Sequence, residues 1–268
     1  MTSSDRIRQT VVAVSAVLAV VGSFIGSGAA GGTPIQEAAG GALSADSTLI
    51  APAGPAFSIW SAIYLGLIAY AVWQFLPRQT ASARQRRLGY PIALTLLLNA
   101  AWILSVQAGL LALSAVVIVV LLVALLVTFV LVVRSRPRES GRGPRGVVEA
   151  IVVDGTVGLY LGWVCVATAA NLTAGLMVAG FDGFGLAPDA WGIAIVVVAG
   201  LAGLALAVFG AGRLSPTASL AWGLVWVAVS RTTGELLSAP VATAAVATAT
   251  ALVVATVVIR LVDAARGR

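Results

Sequence analysis

The chain is expected to be an all-α, polytopic membrane helix bundle with about eight transmembrane helices. Three observations lead there. Across 268 residues, 60% are apolar and 10% charged, with a mean hydropathy of +1.03, which argues against disorder and against an ordinary soluble domain. Several apolar runs reach about 20 residues without interruption, the length that crosses a bilayer; a membrane β-barrel would show short alternating segments instead. The charges gather in the short segments between those runs.

The first span is expected over about 11–28, after Arg6 and Arg8. A basic start, an apolar stretch and then Gly-Ser-Gly-Ala-Ala also resemble a secretory signal; retention as a membrane helix is the expectation. Gly22 and Gly26 form a GxxxG pair, a signal for close helix packing. Residues 28–54 are rich in Gly, Ala, Ser and Pro and hold Glu37 and Asp46 but no basic residue. Such a length suits a lid over a pocket or a flexible external loop.

The second span, about 56–75, is the most informative. Pro52 and Pro55 suit the opening of a helix. Phe57, Trp60 and Tyr64 follow at i, i+3 and i+7, so they share one helical face. A helix facing only lipid needs no such stripe, so this face is read as meeting either a ligand or a packed neighbour. Trp73 lies nearly opposite and reads as an interfacial anchor.

After Arg78, Arg84, Arg86 and Arg87 comes a third span, about 88–107, with Asn99 and Trp102 three apart. The fourth, about 110–133, is aliphatic and reads as structural or lipid-facing. A basic run with Arg134, Arg136, Arg138, Arg142 and Arg145 follows, as expected of a solvated cytoplasmic loop beside anionic headgroups. In the fifth span, about 148–172, Tyr160, Trp163, Ala167 and Asn171 share a face. Thr156 and Glu149 join it if the helix runs back unbroken. Asp154 projects about a third of a turn away. An acid within a span is a functional candidate, and a structural pair with another helix is the favoured reading.

Three more spans are expected, at about 190–209, 216–230 and 241–261. Trp191 reads as a belt residue. Trp222 and Trp226, with Ser219, give the next helix an inward look. The last is rich in small residues suited to bundle packing. Arg231 and Glu235 read as a surface pair of small energetic consequence. With eight spans both termini share one side. Every arginine but Arg231 then falls inside, and Glu37, Asp46, Asp182, Asp189 and Glu235 fall outside. This follows the positive-inside rule and predicts cytoplasmic termini.

Composition also narrows function. The pI of about 10.7 reflects arginines in short loops, so no nucleic-acid partner is expected. Cys165 is the sole cysteine and there is no histidine, which argues against an intrachain disulfide, haem ligation or a usual zinc site. No nucleophile–base pair, metal cluster or nucleotide loop stands out, so no catalytic residue or metal ligand is assigned. Lysine is also absent while Ala, Val and Arg abound, which points to a high-GC bacterial source and the cytoplasmic membrane.

Three blocks in order resemble the TspO family, the tryptophan-rich sensory proteins that include the peripheral benzodiazepine receptor. They are Pro52-x-x-Pro55-x-Phe57-x-x-Trp60-x-x-x-Tyr64, Leu98-Asn99-x-x-Trp102, and Tyr160-Leu161-Gly162-Trp163 followed by Ala167, Ala170 and Asn171. The resemblance covers about residues 8–175, the family's five-helix unit. Departures exist: the prolines are not adjacent, Leu159 stands where the family has proline, and Ser105 and Val106 stand near the place of an aromatic pair. Residues 176–268 are expected to add a three-helix extension packed on the unit spanning 1–175.

The resemblance implies a pocket closed by the loop after the first helix. It also implies a tetrapyrrole such as protoporphyrin, a sterol or a benzodiazepine-type compound as ligand, with no required cofactor. Flat aromatic walls favour the same flat, largely apolar class. Phe57, Trp60, Tyr64, Trp102, Tyr160 and Trp163 are assigned to the aromatic face and walls, Asn99 and Asn171 to polar contacts, and Ala167 to free space. The partners expected are a hydrophobic small molecule and the lipid bilayer. Homodimers are common in the family, though no feature here demands one. A binding protein, sensor or carrier is the leading reading. A small-solute transporter using Asp154 and a porphyrin-degrading enzyme are the alternatives.

Overall fold

The computed structural model describes residues 2–26, 33–135 and 144–266. Most of the expected basic loop, including Arg136, Arg138 and Arg142, lies outside the described residues, as does the side chain of Arg145. The described residues form helices and connections with no strand. In order they are α1 (Ser3–Gly26), α2 (Ile59–Trp73), α3 (Pro77–Thr80), α4 (Ala83–Gln107), α5 (Leu111–Ser135), α6 (Pro144–Glu149), α7 (Thr156–Val178), α8 (Pro188–Phe209), α9 (Leu214–Thr233) and α10 (Ala239–Arg266). A 3-10 turn at Gly54–Ser58 leads into α2, with Pro55 in its first positions, where a missing N–H costs nothing. One π-helical turn, Ala150–Gly155, joins α6 to α7.

Seven segments among the described residues are long and apolar enough to cross a membrane, with the π turn and α7 in one continuous run of 33 residues. The chain is thus a polytopic helical membrane protein. The remaining long helix, α9, has 20 residues and includes Ser215, Thr217, Ser219, Ser230 and Arg231. Protein covers much of it: Ser219, Leu220, Leu224, Val227, Ser230 and Arg231 are all buried. A helix shielded from acyl chains needs less apolar surface than one that faces them.

The helices pack as a series of neighbours: α1 on α4, α4 on α5, α5 on α7, α7 on α9, α9 on α10 and α10 on α8. Lipid supplies little hydrophobic drive between helices, so close contact must come from shape and small residues. The α7–α9 crossing shows this. A Cβ added at Gly162 would lie 2.1 Å from the Pro216 carbonyl oxygen and 2.3 Å from Ser219 Oγ. The Gly22–Gly26 pair works likewise at the α1–α4 contact, where a Cβ on Gly26 would meet the Ile103 side chain at 2.3 Å.

A polar cluster fastens the end of the bundle where α4 begins. Arg84 Nη1 donates to Glu149 Oε1 at 2.8 Å, Nη2 donates to Asp154 Oδ1 and Nε donates to Ser135 Oγ at 3.3 Å. Nearby, Arg86 pairs with Asp5 at 2.7 Å, Arg8 Nη2 donates to the Thr80 carbonyl at 2.9 Å, and Gln9 Nε2 donates to the Gln74 carbonyl at 2.7 Å. Asp154 is therefore in a structural ion pair with another helix.

Three expectations need correction. The fifth span runs back without a break but not in α-helical register, because the π turn at Ala150–Gly155 inserts an extra residue per turn. Glu149 consequently meets Arg84 and not the aromatic face. Trp73 is no surface anchor; it packs against the core with its indole nitrogen buried. Arg231 forms no surface pair with Glu235. It lies within α9, its side chain is wholly buried, and its acidic neighbour is Asp46 at 3.9 Å.

Candidate functional site

At the other end of the bundle the aromatic residues of three helical segments converge. Trp60 of α2 is the hub. Its ring stacks on Tyr64 (centroids 5.5 Å apart) and on Trp102 of α4 (6.2 Å). It meets Tyr160 and Trp163 of α7 edge-on at 5.8 and 6.3 Å. Phe57 adds an edge contact to Trp163 at 5.7 Å. These separations and tilts are those that the ring quadrupole favours, and each pair contributes roughly 0.5–1.5 kcal/mol beyond simple burial.

Beside this cluster lies a hollow with about 30 Å³ of free interior, room for a water or two. Phe57, Trp102, Trp163, Ala167, Ala170 and Asn171 form its walls. The connection between α1 and α2 supplies the roof through Leu43, Ser47, Ala51 and Pro52. The described part of this loop, 33–54, thus packs over the hollow and does not stand free of the bundle.

The expected site residues divide into two groups. Phe57, Trp102, Trp163, Ala167 and Asn171 line the hollow. Trp60, Tyr64, Tyr160 and Asn99 form the aromatic and polar layer next to it. Polar groups in both sets are partly committed to the fold. Asn99 Nδ2 donates to Tyr64 Oη at 2.5 Å, Tyr160 Oη donates to the Thr95 carbonyl at 3.1 Å, and Asn171 Nδ2 donates to Ser114 Oγ at 3.2 Å. Three buried groups have no partner within the protein: the indole N–H of Trp102, that of Trp163, and Oδ1 of Asn99. A buried polar atom without a partner costs about 1–3 kcal/mol. Two of these lie on side chains that line the hollow, but the nitrogens themselves are closed off from it, and its walls are almost wholly apolar.

A family model for TSPO-like protein matches residues 12–258. The chain belongs to the TSPO-like family. The match runs through α8, α9 and into α10, well past the stretch around 8–175 where the motifs of this TSPO-like chain lie. No curated protein and no solved structure gives a significant match.

Sequence reasoning missed the roof residues Leu43, Ser47, Ala51 and Pro52 as members of the TSPO-like site, because a Gly- and Ala-rich loop has no periodicity to read. It also missed what α9 does there. Trp222 Nε1 donates to the Ala56 carbonyl at 2.9 Å, and the Trp226 carbonyl accepts from Ala53 N at 3.1 Å. The available signals were the Trp222–Trp226 spacing and the position of Arg231 as the exception to the charge pattern.

Proposed function

We propose that this protein is a membrane binding protein, sensor or carrier for a flat, largely apolar ligand of the tetrapyrrole class. The observation that carries the reading is the meeting of Phe57, Trp60, Trp102 and Trp163 at a roofed, apolar hollow. Aromatic faces provide stacking area for a flat, largely apolar ligand. The hollow has room for no more than a water or two, so a porphyrin enters by lifting the roof and spreading the rings. The arginine distribution supports placing both termini in the cytoplasm and the roof on the outer face of the cell membrane. The transporter reading asks Asp154 to act as a coupling group; its pairing with Arg84, at the end away from the hollow, favours a structural role instead.

The experiment is a titration of the purified protein in detergent with protoporphyrin IX, a panel of other porphyrins and sterols. Intrinsic Trp fluorescence is quenched saturably by protoporphyrin under this reading. No saturable quenching by any member of the panel would reject it.

A further inference from the structure

The roof of the hollow is fastened by α9. Four of its residues reach the roof segment at Ala45, Ala53 and Ala56. Trp222 Nε1 donates to the Ala56 carbonyl at 2.9 Å, and Ala53 N donates to the Trp226 carbonyl at 3.1 Å. Ser230 Oγ donates to the Ala45 carbonyl at 3.2 Å, which Arg231 Nη2 also approaches. The roof answers through Asp46: its Oδ1 accepts from the backbone N–H groups of Glu235 and Leu236 at 3.0 and 3.3 Å. Ser47, Ala51 and Pro52, which face the hollow, lie between these points.

The two ends of this fastening differ in kind. At Ala53 and Ala56 the contacts are neutral hydrogen bonds near the start of α2, which the chain cannot leave without unwinding the 3-10 turn at Gly54–Ser58. At Ala45 and Asp46 the contact combines hydrogen bonds from Ser230, Glu235 and Leu236 with one buried arginine, Arg231. Its side chain is wholly buried and Asp46 stands 3.9 Å away, beyond hydrogen-bond reach. Two of its groups, Nε and Nη1, are buried with no acceptor in the protein. A buried guanidinium with idle donors is held at a cost that water would remove.

We propose that Arg231, with Asp46, is the catch of a latch: it closes the roof over the hollow and releases it at the Ala45 side, while Trp222 and Trp226 hold the Ala53–Ala56 side as the hinge. Arg231 is thus a positioning residue for ligand entry. It acts through the roof, and this assigns the C-terminal helices a role in gating the site. The inference rests on the reading of the hollow as the place a ligand enters.

The test uses no ligand, so it stands apart from whether porphyrin binds. In a Cys165→Ala, Ala170→Cys background of the full chain in detergent, the rate of alkylation by N-ethylmaleimide reports access to the hollow. Arg231→Gln and Asp46→Ala each raise that rate by about fivefold or more. Both also speed hydrogen exchange in the roof segment around 42–53, and Arg231→Lys restores the slow rate. A control, Val258→Ala on the exposed face near the opposite end of α10, leaves both readouts at the parent level. If Arg231→Gln does not fold, Asp46→Ala alone decides, since its half-exposed carboxylate is no part of the core. Parent-level alkylation and exchange in Asp46→Ala would overturn the latch, and so would an equal rise in the control.

Discussion

Arg84 and Arg231 are buried at opposite ends of the same bundle, yet they are treated differently. Arg84 uses Nε, Nη1 and Nη2, and its acceptors come from α5, α6 and the π turn. Arg231 uses only Nη2, and its nearest acid is too distant for a hydrogen bond. A guanidinium with complementary partners is a pin that resists removal. One with idle donors is a contact that can be released. The difference teaches that the end where α4 begins is held by close charge pairs and the roofed end is not; idle donors alone do not set the two apart, since Arg8, buried beside the first, also leaves Nε and Nη1 without acceptors.

The comparison can be broken most forcefully at the pinned end. Asp154→Ala takes the more buried of the two carboxylates from Arg84, leaving it Glu149 alone, and should lower stability by about 3–5 kcal/mol, read as a large drop in thermal midpoint in detergent. Replacing the group together, as Arg84→Met, Glu149→Gln and Asp154→Leu, should recover most of the loss, because an apolar set of similar volume serves a buried site about as well. Full stability in Asp154→Ala alone would show that the pin is not one.

A smaller loss, about 3 kcal/mol, is expected for Trp60→Ala, which removes the hub ring from Tyr64, Trp102, Tyr160 and Trp163 together. Chemical denaturation followed by far-UV circular dichroism measures it, since that signal does not depend on the missing indole. Gly162→Val comes next, at about 1–3 kcal/mol, because its side chain meets the Pro216 backbone and must separate α7 from α9. A parent-like midpoint there would mean that the α7–α9 contact is loose. Arg231→Gln should change stability least, within about 1 kcal/mol, while changing access to the hollow. If it unfolds the protein as Asp154→Ala does, the contrast between the two arginines fails.

Much of this was legible in the sequence, for a physical reason. Long apolar runs fix the spans, and the 3.6-residue period sets Trp60 beside Tyr64 and Tyr160 beside Trp163. The convergence of Trp102 with them needed only short connections and small residues at the crossings. The Asp154 ion pair was anticipated in kind but not in partner, since nothing local in sequence marks Arg84 among its neighbouring arginines. Glu149 was misplaced because a π turn leaves no compositional trace. Arg231 was misread because its sequence position beside Glu235 suggested water, whereas the roof arriving from some 185 residues earlier buries it. Long-range cover of this kind is what local pattern cannot supply.

The central claim is that the roofed hollow receives the ligand, and filling the hollow tests it most directly. Ala167→Val adds two methyl groups at the wall of the small free space. The account predicts that protoporphyrin IX, titrated by the shift of its Soret band, binds this variant about tenfold or more weakly than the parent, while the thermal midpoint stays close to that of the parent. An unchanged dissociation constant in a folded Ala167→Val protein would contradict it.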